Sequence, residues 1–230
     1  MHYNTSEKGH KAITVRWHKE DIRIKSNLSK LDKTERELLT ARLCGYISGD
    51  GSLSVRKERN GREHHDIRFY PDHESLISIF VNDFDKLYSK IPAVRKMKNH
   101  YHIHVSCKTA CEDLLKLTKF GSLTWRLPNE LKTDQSKIGW LRALFDCEAH
   151  VSPKVIQMQS VNRIAINQVK DLLRSFGINS RLYEYTRKNK NWNKNYILHI
   201  GKRDDRLRYL KQIGFNHTVK LNKLKDSVSI

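Results

Sequence analysis

The chain's 230 residues suffice for one large or two small domains with a real hydrophobic core, and a 38% hydrophobic content with only four prolines excludes a disordered chain. Lys and Arg number 44 against 25 Asp and Glu, a net charge of +19 that repels itself in the folded state and calls for a polyanionic partner. No apolar run approaches the roughly 18 residues of a bilayer span, and the N-terminal MHYNTSEKGHK lacks the apolar core of a secretory signal, so no membrane partner is expected.

Residues 1–32 form a basic extension (Lys8, Lys11, Arg16, Lys19, Arg23, Lys25), either an arm for a polyanion or a solvated tail. From residue 33 the apolar pattern predicts a helix to about Gly49. Next come two strands, LSVRKER and DIRFY, flanking Asn60-Gly61, the strongest short hairpin signal. A helix (ESLISIFVNDFDKLYSK), a strand pair around Val94 and His100 to Val105, and a closing helix ending at Phe120 complete a first unit, 33–124. Pro128 and polar residues mark a linker, 125–135. The second unit, 136–230, repeats the order: a helix from Ser136 to Cys147, then VIQMQ, NRIAINQVKDLLRSFGI, RLYEYTR, NYILHI and DDRLRYLKQIGF. Tyr101 and Tyr196, His104 and His199, and Phe120 and Phe215 all keep an offset of 95, and Asp50 and Glu148 one of 98, which argues for duplication. Helices alternating with strand pairs at hairpin spacing predict antiparallel sheets and an α+β fold. The four cysteines form no C-x-x-C pair; a structural zinc is not expected, and unpaired thiols fit a reducing compartment such as a prokaryotic cytoplasm or an organelle interior.

The first helix of each unit carries a stripe of small residues, Gly45 and Gly49 in one, Ala143 and Cys147 in the other. Residues four apart share a helix face, and small side chains let two helix backbones approach closely, so each helix has a natural partner in its duplicate. Asp50 and Glu148 follow these stripes. A carboxylate at a helix C-terminus meets the negative end of the dipole, and two together repel. Divalent cations between them resolve both penalties, and hard oxygen ligands select Mg²⁺. An isolated Gly-Asp-Gly is an ordinary helix cap; the second copy has lost the glycine and kept the acid, which favours chemistry.

LCGYISGDG and LRALFDCEA resemble the two nine-residue motifs of the LAGLIDADG homing endonucleases, with the eighth position acidic in both, and the likeness runs from about residue 36 to 225. It implies two pseudo-symmetric αββαββα units, saddle-shaped antiparallel sheets over DNA, and packing through the two motif helices. The implied function is a monomeric, site-specific double-strand endonuclease with a long target, encoded in a mobile intron or free-standing. An intein-embedded form is disfavoured by the little room beside the units. An RNA maturase or an inactive DNA-binding protein on the same scaffold are the alternatives. By the same resemblance Asp50 and Glu148 bind Mg²⁺, or Mn²⁺ or Ca²⁺ in its place, with the carbonyls of Gly49 and Cys147 as further ligands. Gln159 and Lys220 match positions that orient water and stabilise charge, with Arg126 in the stretch equivalent to Lys220, Pro71 and Asp72 near the counterpart of Gln159, and Lys154 as a third candidate. The sixth motif position, where relatives carry an acid that caps structure, is Ser48 in one copy and Asp146 in the other.

Strand alternation assigns faces. With Leu53, Val55, Ile67 and Phe69 inward, Ser54, Arg56, Arg68 and Tyr70 point outward, as do His102, His104 and His199. In the second unit Gln157 and Gln159 form one outward row and Arg181, Tyr183, Tyr185 and Arg187 another. Such donor-rich faces suit a major groove, where Arg reads guanine and Gln reads adenine. Arg59, Arg62, Lys154, Lys190 and Trp192 lie in loops that would extend the contact along duplex DNA.

Overall fold

Asp32 opens the first motif helix: its carboxylate accepts the N–H groups of Thr34 and Glu35 at 2.8 and 3.2 Å, satisfying donors a helix start leaves free. The computed structural model describes residues 7–186 and 193–229, with side chains from residue 18 onward. After a leading helix α1 (Glu7–Lys30), the first unit runs α2 (Lys33–Ser48), β1 (Gly51–Lys57), β2 (Glu63–Phe69), α3 (Ser75–Tyr88), β3 (Ala93–Lys96), β4 (Tyr101–Ser106) and α4 (Lys108–Leu117). The second runs α5 (Asp134–Glu148), β5 (Ala149–Ser152), β6 (Val155–Ser160), α6 (Arg163–Ser175), β7 (Arg181–Tyr185), β8 (Asn195–Ile200) and α7 (Arg203–Gln212), and a final helix α8 (Thr218–Val228) follows. The αββαββα order therefore occurs twice. Each unit holds one four-stranded antiparallel sheet, ordered β1-β2-β4-β3 and β5-β6-β8-β7.

Four elements depart from the sequence reading. α5 begins at Asp134, because Thr133 caps the Ser136 N–H and the Glu37 carboxylate accepts the N–H groups of Lys132 and Thr133, fixing the end of the linker against α2. α1 had no predicted element. It docks through buried Ile24 and Leu28, with Arg23 and Asn27 donating to the carbonyls of Ser89 and Leu87 at the end of α3. β5 is only four residues long and turns through Pro153-Lys154, without the Asn-Gly signal that marks the β1–β2 turn, where Gly61 has φ +82°. The sequence reading assigns no element after Phe215, where α8 buries Leu224 and Val228 and is capped by the His217 imidazole.

The core is continuous through both units, because α2 and α5 are each other's cover. Leu39, Ala41, Leu43, Ile47, Trp140, Leu141, Ala143 and Leu144 are all buried. The small stripe extends one turn further than the sequence reading had it, to Ala41 and Gly139. A Cβ built on Gly45 would lie 2.7 Å from the Trp140 carbonyl oxygen and 2.8 Å from the Ala143 Cβ, so the backbones are in contact.

α2 is bound to α3 by a charge pair. Arg42 donates Nε to Asp83 Oδ2 at 2.8 Å and Nη2 to Oδ1 at 2.5 Å, and the Asp83 side chain is 3% exposed. Burial lifts the Asp83 carboxyl to about 6, against the pull of Arg42. Removing one partner of such a pair leaves the other charge uncompensated. Arg42→Ala is therefore expected to cost about 3–5 kcal/mol of stability by denaturant unfolding; a loss below about 1 kcal/mol would mean that solvent, not Arg42, satisfies Asp83.

Candidate active site between two motif helices

The close approach of α2 and α5 brings their C-terminal ends together. A Cβ on Gly49 would lie 2.5 Å from the Cys147 Cβ and 3.6 Å from the Glu148 Cγ, so the residue before each acid touches the other helix. Asp50 and Glu148 emerge there. Burial raises both carboxyls. The Asp50 charge helps push Glu148 up to about 7, while Lys220 opposes the rise at both acids and Asp72 adds to it at Asp50. Glu148 keeps a solvent-exposed side despite the protein packed around it, because it borders an open cavity of about 610 Å³ that Ser48, Gly49 and Gln159 also line.

The two acids have different surroundings. On the Cys147 side, Lys220 at the start of α8 donates its Nζ to the carbonyls of Asp146 at 2.5 Å and Cys147 at 2.9 Å, placing a cation on the α5 C-terminus where the dipole favours it. Asp146 anchors this arrangement: its Oδ1 accepts the N–H groups of Asn216 and His217 at 2.9 and 3.0 Å. That is the capping role expected of an acid at the sixth motif position. In the first unit Ser48 cannot do this, and its buried hydroxyl makes no hydrogen bond. Arg126 does not mirror Lys220. Its Nη1 is spent on the Trp125 carbonyl and on Asn162 Oδ1 of the second unit, at 2.7 and 3.1 Å. Gln159 does lie at the cavity, its Oε1 accepting from Asn195 Nδ2 at 3.1 Å.

Sheet register identifies the first-unit counterpart of Gln159 as Tyr70, one residue beyond the Phe69 that matches Met158, rather than Pro71 or Asp72. Asp72 instead pairs with His217 at 3.4 Å. Lys154 sits at the tip of the short β5–β6 hairpin, away from the acids, and its carbonyl accepts from Arg206. Among the described residues no group of three or more His, Cys, Asp or Glu converges on one point; the donors gathered here are two carboxylates and main-chain oxygens.

The outward rows fall as the alternation predicted. Ser54, Arg56, Arg68, His102 and His104 share one face of the first sheet, with Tyr70 stacked on His102 at 5.1 Å and 6°. Gln157, Gln159, Arg181, Tyr183, Tyr185 and His199 share one face of the second. Arg59 and Arg62 are exposed at the β1–β2 tip. Arg187, Lys190 and Trp192 lie outside the described residues. The register adds outward residues that the sequence reading missed, among them Asp66, Ser106, Ser52, Arg95 and His150. The last two belong to four-residue strands, too short for periodicity to reveal a face.

Residues 135–214 match the model of the LAGLIDADG-like domain. Among curated proteins, the chain is 27% identical over 95% of its length to a replication factor C small subunit of Methanocaldococcus jannaschii. It is 25% identical over 80% to the same-named protein of Thermococcus kodakarensis. A glutamine–fructose-6-phosphate aminotransferase of M. jannaschii is also 25% identical, over 87% of the chain. The chain spans only 12, 20 and 18% of those proteins. Among solved structures, the homing endonuclease I-DmoI in complex with DNA and Mn superposes with a TM-score of 0.62 at 19% identity, over 77% of this chain and 97% of that one. The same enzyme has been solved with DNA and Ca. The N-terminal LAGLIDADG domain of WhiA superposes with a TM-score of 0.52 at 19% identity, over 84% and 90%. At these identities the structural likeness establishes the fold alone. No helix among the described residues is long and apolar enough to cross a membrane.

Proposed function

We propose, starting from a chain that belongs to the LAGLIDADG family, that it is a monomeric, site-specific, divalent-metal-dependent endonuclease acting on double-stranded DNA. The observation that carries this reading is the meeting of Asp50 and Glu148 at the apposed ends of α2 and α5, where burial penalises both carboxylates and the Asp50 charge adds to the penalty at Glu148. Such an arrangement suits a cation, and the donor set fits a hard one. Asp50 and Glu148, with the main-chain carbonyls of Gly49 and Cys147, would hold Mg²⁺, or Mn²⁺ or Ca²⁺ in its place. A bound cation supplies a Lewis acid for the phosphate and a water of lowered pKa. Gln159, at the cavity wall, orients water by hydrogen bonding. Lys220 balances negative charge beside Asp50. Both sheets belong to one chain, so no second copy is needed to face a duplex, and their outward Arg, Gln, Tyr and His side chains read a long target.

The relatives support a mobile module. Proteins named for unrelated activities share this segment as no more than a fifth of their length, as a nuclease embedded in different host proteins would be, which weighs against the expectation that an embedded form is disfavoured. A second reading, DNA binding without cleavage, draws on the same fold in the WhiA domain; the paired acids favour the nuclease.

Incubating the protein with a randomised duplex library and Mg²⁺, beside a chelator control, tests the proposal. Recovery of double-strand breaks at one sequence class, only with metal, is the expected result; enrichment by binding with no breaks in any divalent cation would favour the second reading. Binding should weaken with salt through counterion release, by about 10³-fold or more between 50 and 200 mM if six or more phosphates are contacted. A flat salt response would exclude phosphate-dominated binding. Metal and protons should also compete at Glu148. Its carboxyl titrates at about 7 and must be deprotonated to act as a ligand, so Ca²⁺ affinity measured by calorimetry without DNA should fall as pH drops below about 7. A pH-independent affinity would place the ion elsewhere.

A further inference from the structure

Asp66 is an acid in the middle of the outward face of the first sheet, in a protein of net charge +19. Its neighbours across the strands are Ser54 and Ser106, and it is only 6% exposed because the side chains around it close over it. Oδ1 accepts from Ser106 Oγ at 2.7 Å and pairs with His104 Nε2 at 3.0 Å. Oδ2 accepts from Arg56 Nη2 at 3.0 Å, and Arg68 Nη2 lies 3.7 Å away. Burial alone would raise this carboxyl; the hydrogen bonds from Ser106, His104 and Arg56 outweigh it and hold it well below the usual carboxylate range.

An acid here weakens attraction to phosphate, so its value must lie in what it holds. A free arginine side chain carries about 2 kcal/mol of rotamer entropy and would settle on whichever phosphate is nearest. An arginine tied through one Nη2 keeps its remaining N–H donors in a fixed fork. The Arg56 side chain is still 62% exposed and the Arg68 side chain 35%, so Arg56 is anchored by a hydrogen bond yet accessible, and Arg68 is drawn to the same carboxylate by charge alone. The second sheet lacks the device: the register puts Val155 in the place of Asp66, and His199 Nε2 pairs instead with Gln157 Oε1 at 2.9 Å.

We infer that Asp66 is a positioning residue for sequence readout, fixing Arg56, Arg68 and His104 as pre-aligned readers of the half-site under the first unit while disfavouring non-specific contact with the phosphate backbone. The inference rests on the DNA-reading function proposed above and adds that the two halves of the target are read by different means. Pre-organised donors lose less freedom on binding, and a charge that is repelled wherever the readers are unsatisfied widens the gap between specific and non-specific affinity.

The test is binding selection from a randomised duplex library in Ca²⁺, read by sequencing, for the wild type, Asp66→Asn, Arg56→Gln and Arg56→Lys. Asp66→Asn should lose base preference, by roughly 5- to 100-fold in relative enrichment per position, at consecutive positions of one half-site only. Those positions should overlap the ones lost in Arg56→Gln, and non-specific binding should tighten at low salt. Arg56→Lys keeps the charge but cannot hold Asp66 and a base edge at once, so it should lose the same positions. This variant keeps the test decisive if Asp66→Asn fails to fold. Preferences unchanged in Asp66→Asn or in Arg56→Lys, or a loss spread evenly over both half-sites, would overturn the assignment. A wild type that enriches no sequence would sink the DNA-reading premise, and this inference with it, and is distinguishable because it needs no variant.

Discussion

Asp50→Asn and Glu148→Gln should each reduce double-strand cleavage by at least about 100-fold while duplex affinity stays the same or rises. The amide keeps the shape of the carboxylate and removes the charge that makes it a ligand for a hard cation. Removing a negative charge from a DNA-facing site also removes repulsion from phosphate. Stability provides the internal control. Both carboxyls are raised by burial and Glu148 further by Asp50, so above pH 7 the folded protein holds charges that the unfolded chain would solvate better. Neutralising either one should leave the melting temperature at pH 8 equal or higher, a gain in stability set against a loss of function. Loss of activity with a preserved melt and preserved binding is the expected combination. Wild-type cutting by either variant would refute the site.

The second large effect concerns Gly45. On an exposed helix, Gly→Ala is favourable by about 1 kcal/mol. Here the added Cβ would sit 2.7 Å from the Trp140 carbonyl oxygen, 2.8 Å from the Ala143 Cβ and 3.2 Å from the Leu144 nitrogen. Two of these three are main-chain atoms that no rotamer change can move, so the helices must separate. Gly45→Ala should cost about 1–3 kcal/mol, reversing the helix-propensity sign, and Gly45→Leu should cost more and spread Asp50 from Glu148. Gly139 is the contrast. Its Cβ would meet the Leu38 Cδ1 at 2.6 Å, the far end of a side chain that can swing away, and the Arg42 Cγ at 3.2 Å, which need give only a few tenths of an ångström while Asp83 keeps the guanidinium, so Gly139→Ala should be milder. Chemical denaturation of the three variants decides; a Gly45→Ala protein as stable as the wild type would show that the helices are not in backbone contact.

Much of this was legible in the residues, for identifiable reasons. Duplication doubled every signal, so helices too weak to assert alone were supported by their copies, and two acids after two small-residue stripes pointed to one place. The outward rows followed from strict alternation in strands of five to seven residues. What escaped depends on contacts that pattern does not encode. α1 and α8 bury only two apolar side chains each among those described, too few for a periodic stripe. Arg126 looked like the twin of Lys220, but Asn162, from the other unit, claims its guanidinium. Asp66 lay in an outward row by alternation, yet nothing in its neighbours in sequence shows that Arg56, His104 and Ser106 close around it from adjacent strands.

The Gly45 contact also bears on how the chain is made. Each motif helix is sealed by a partner nearly a hundred residues away in sequence, so during synthesis α2 leaves the ribosome with its small-residue face uncovered and stays so until residue 148 has followed. Pairings this distant close late and leave sticky intermediates in the meantime. A message cut short after the first unit would therefore yield a fragment that seeks a substitute for α5, most readily the same helix in a second fragment.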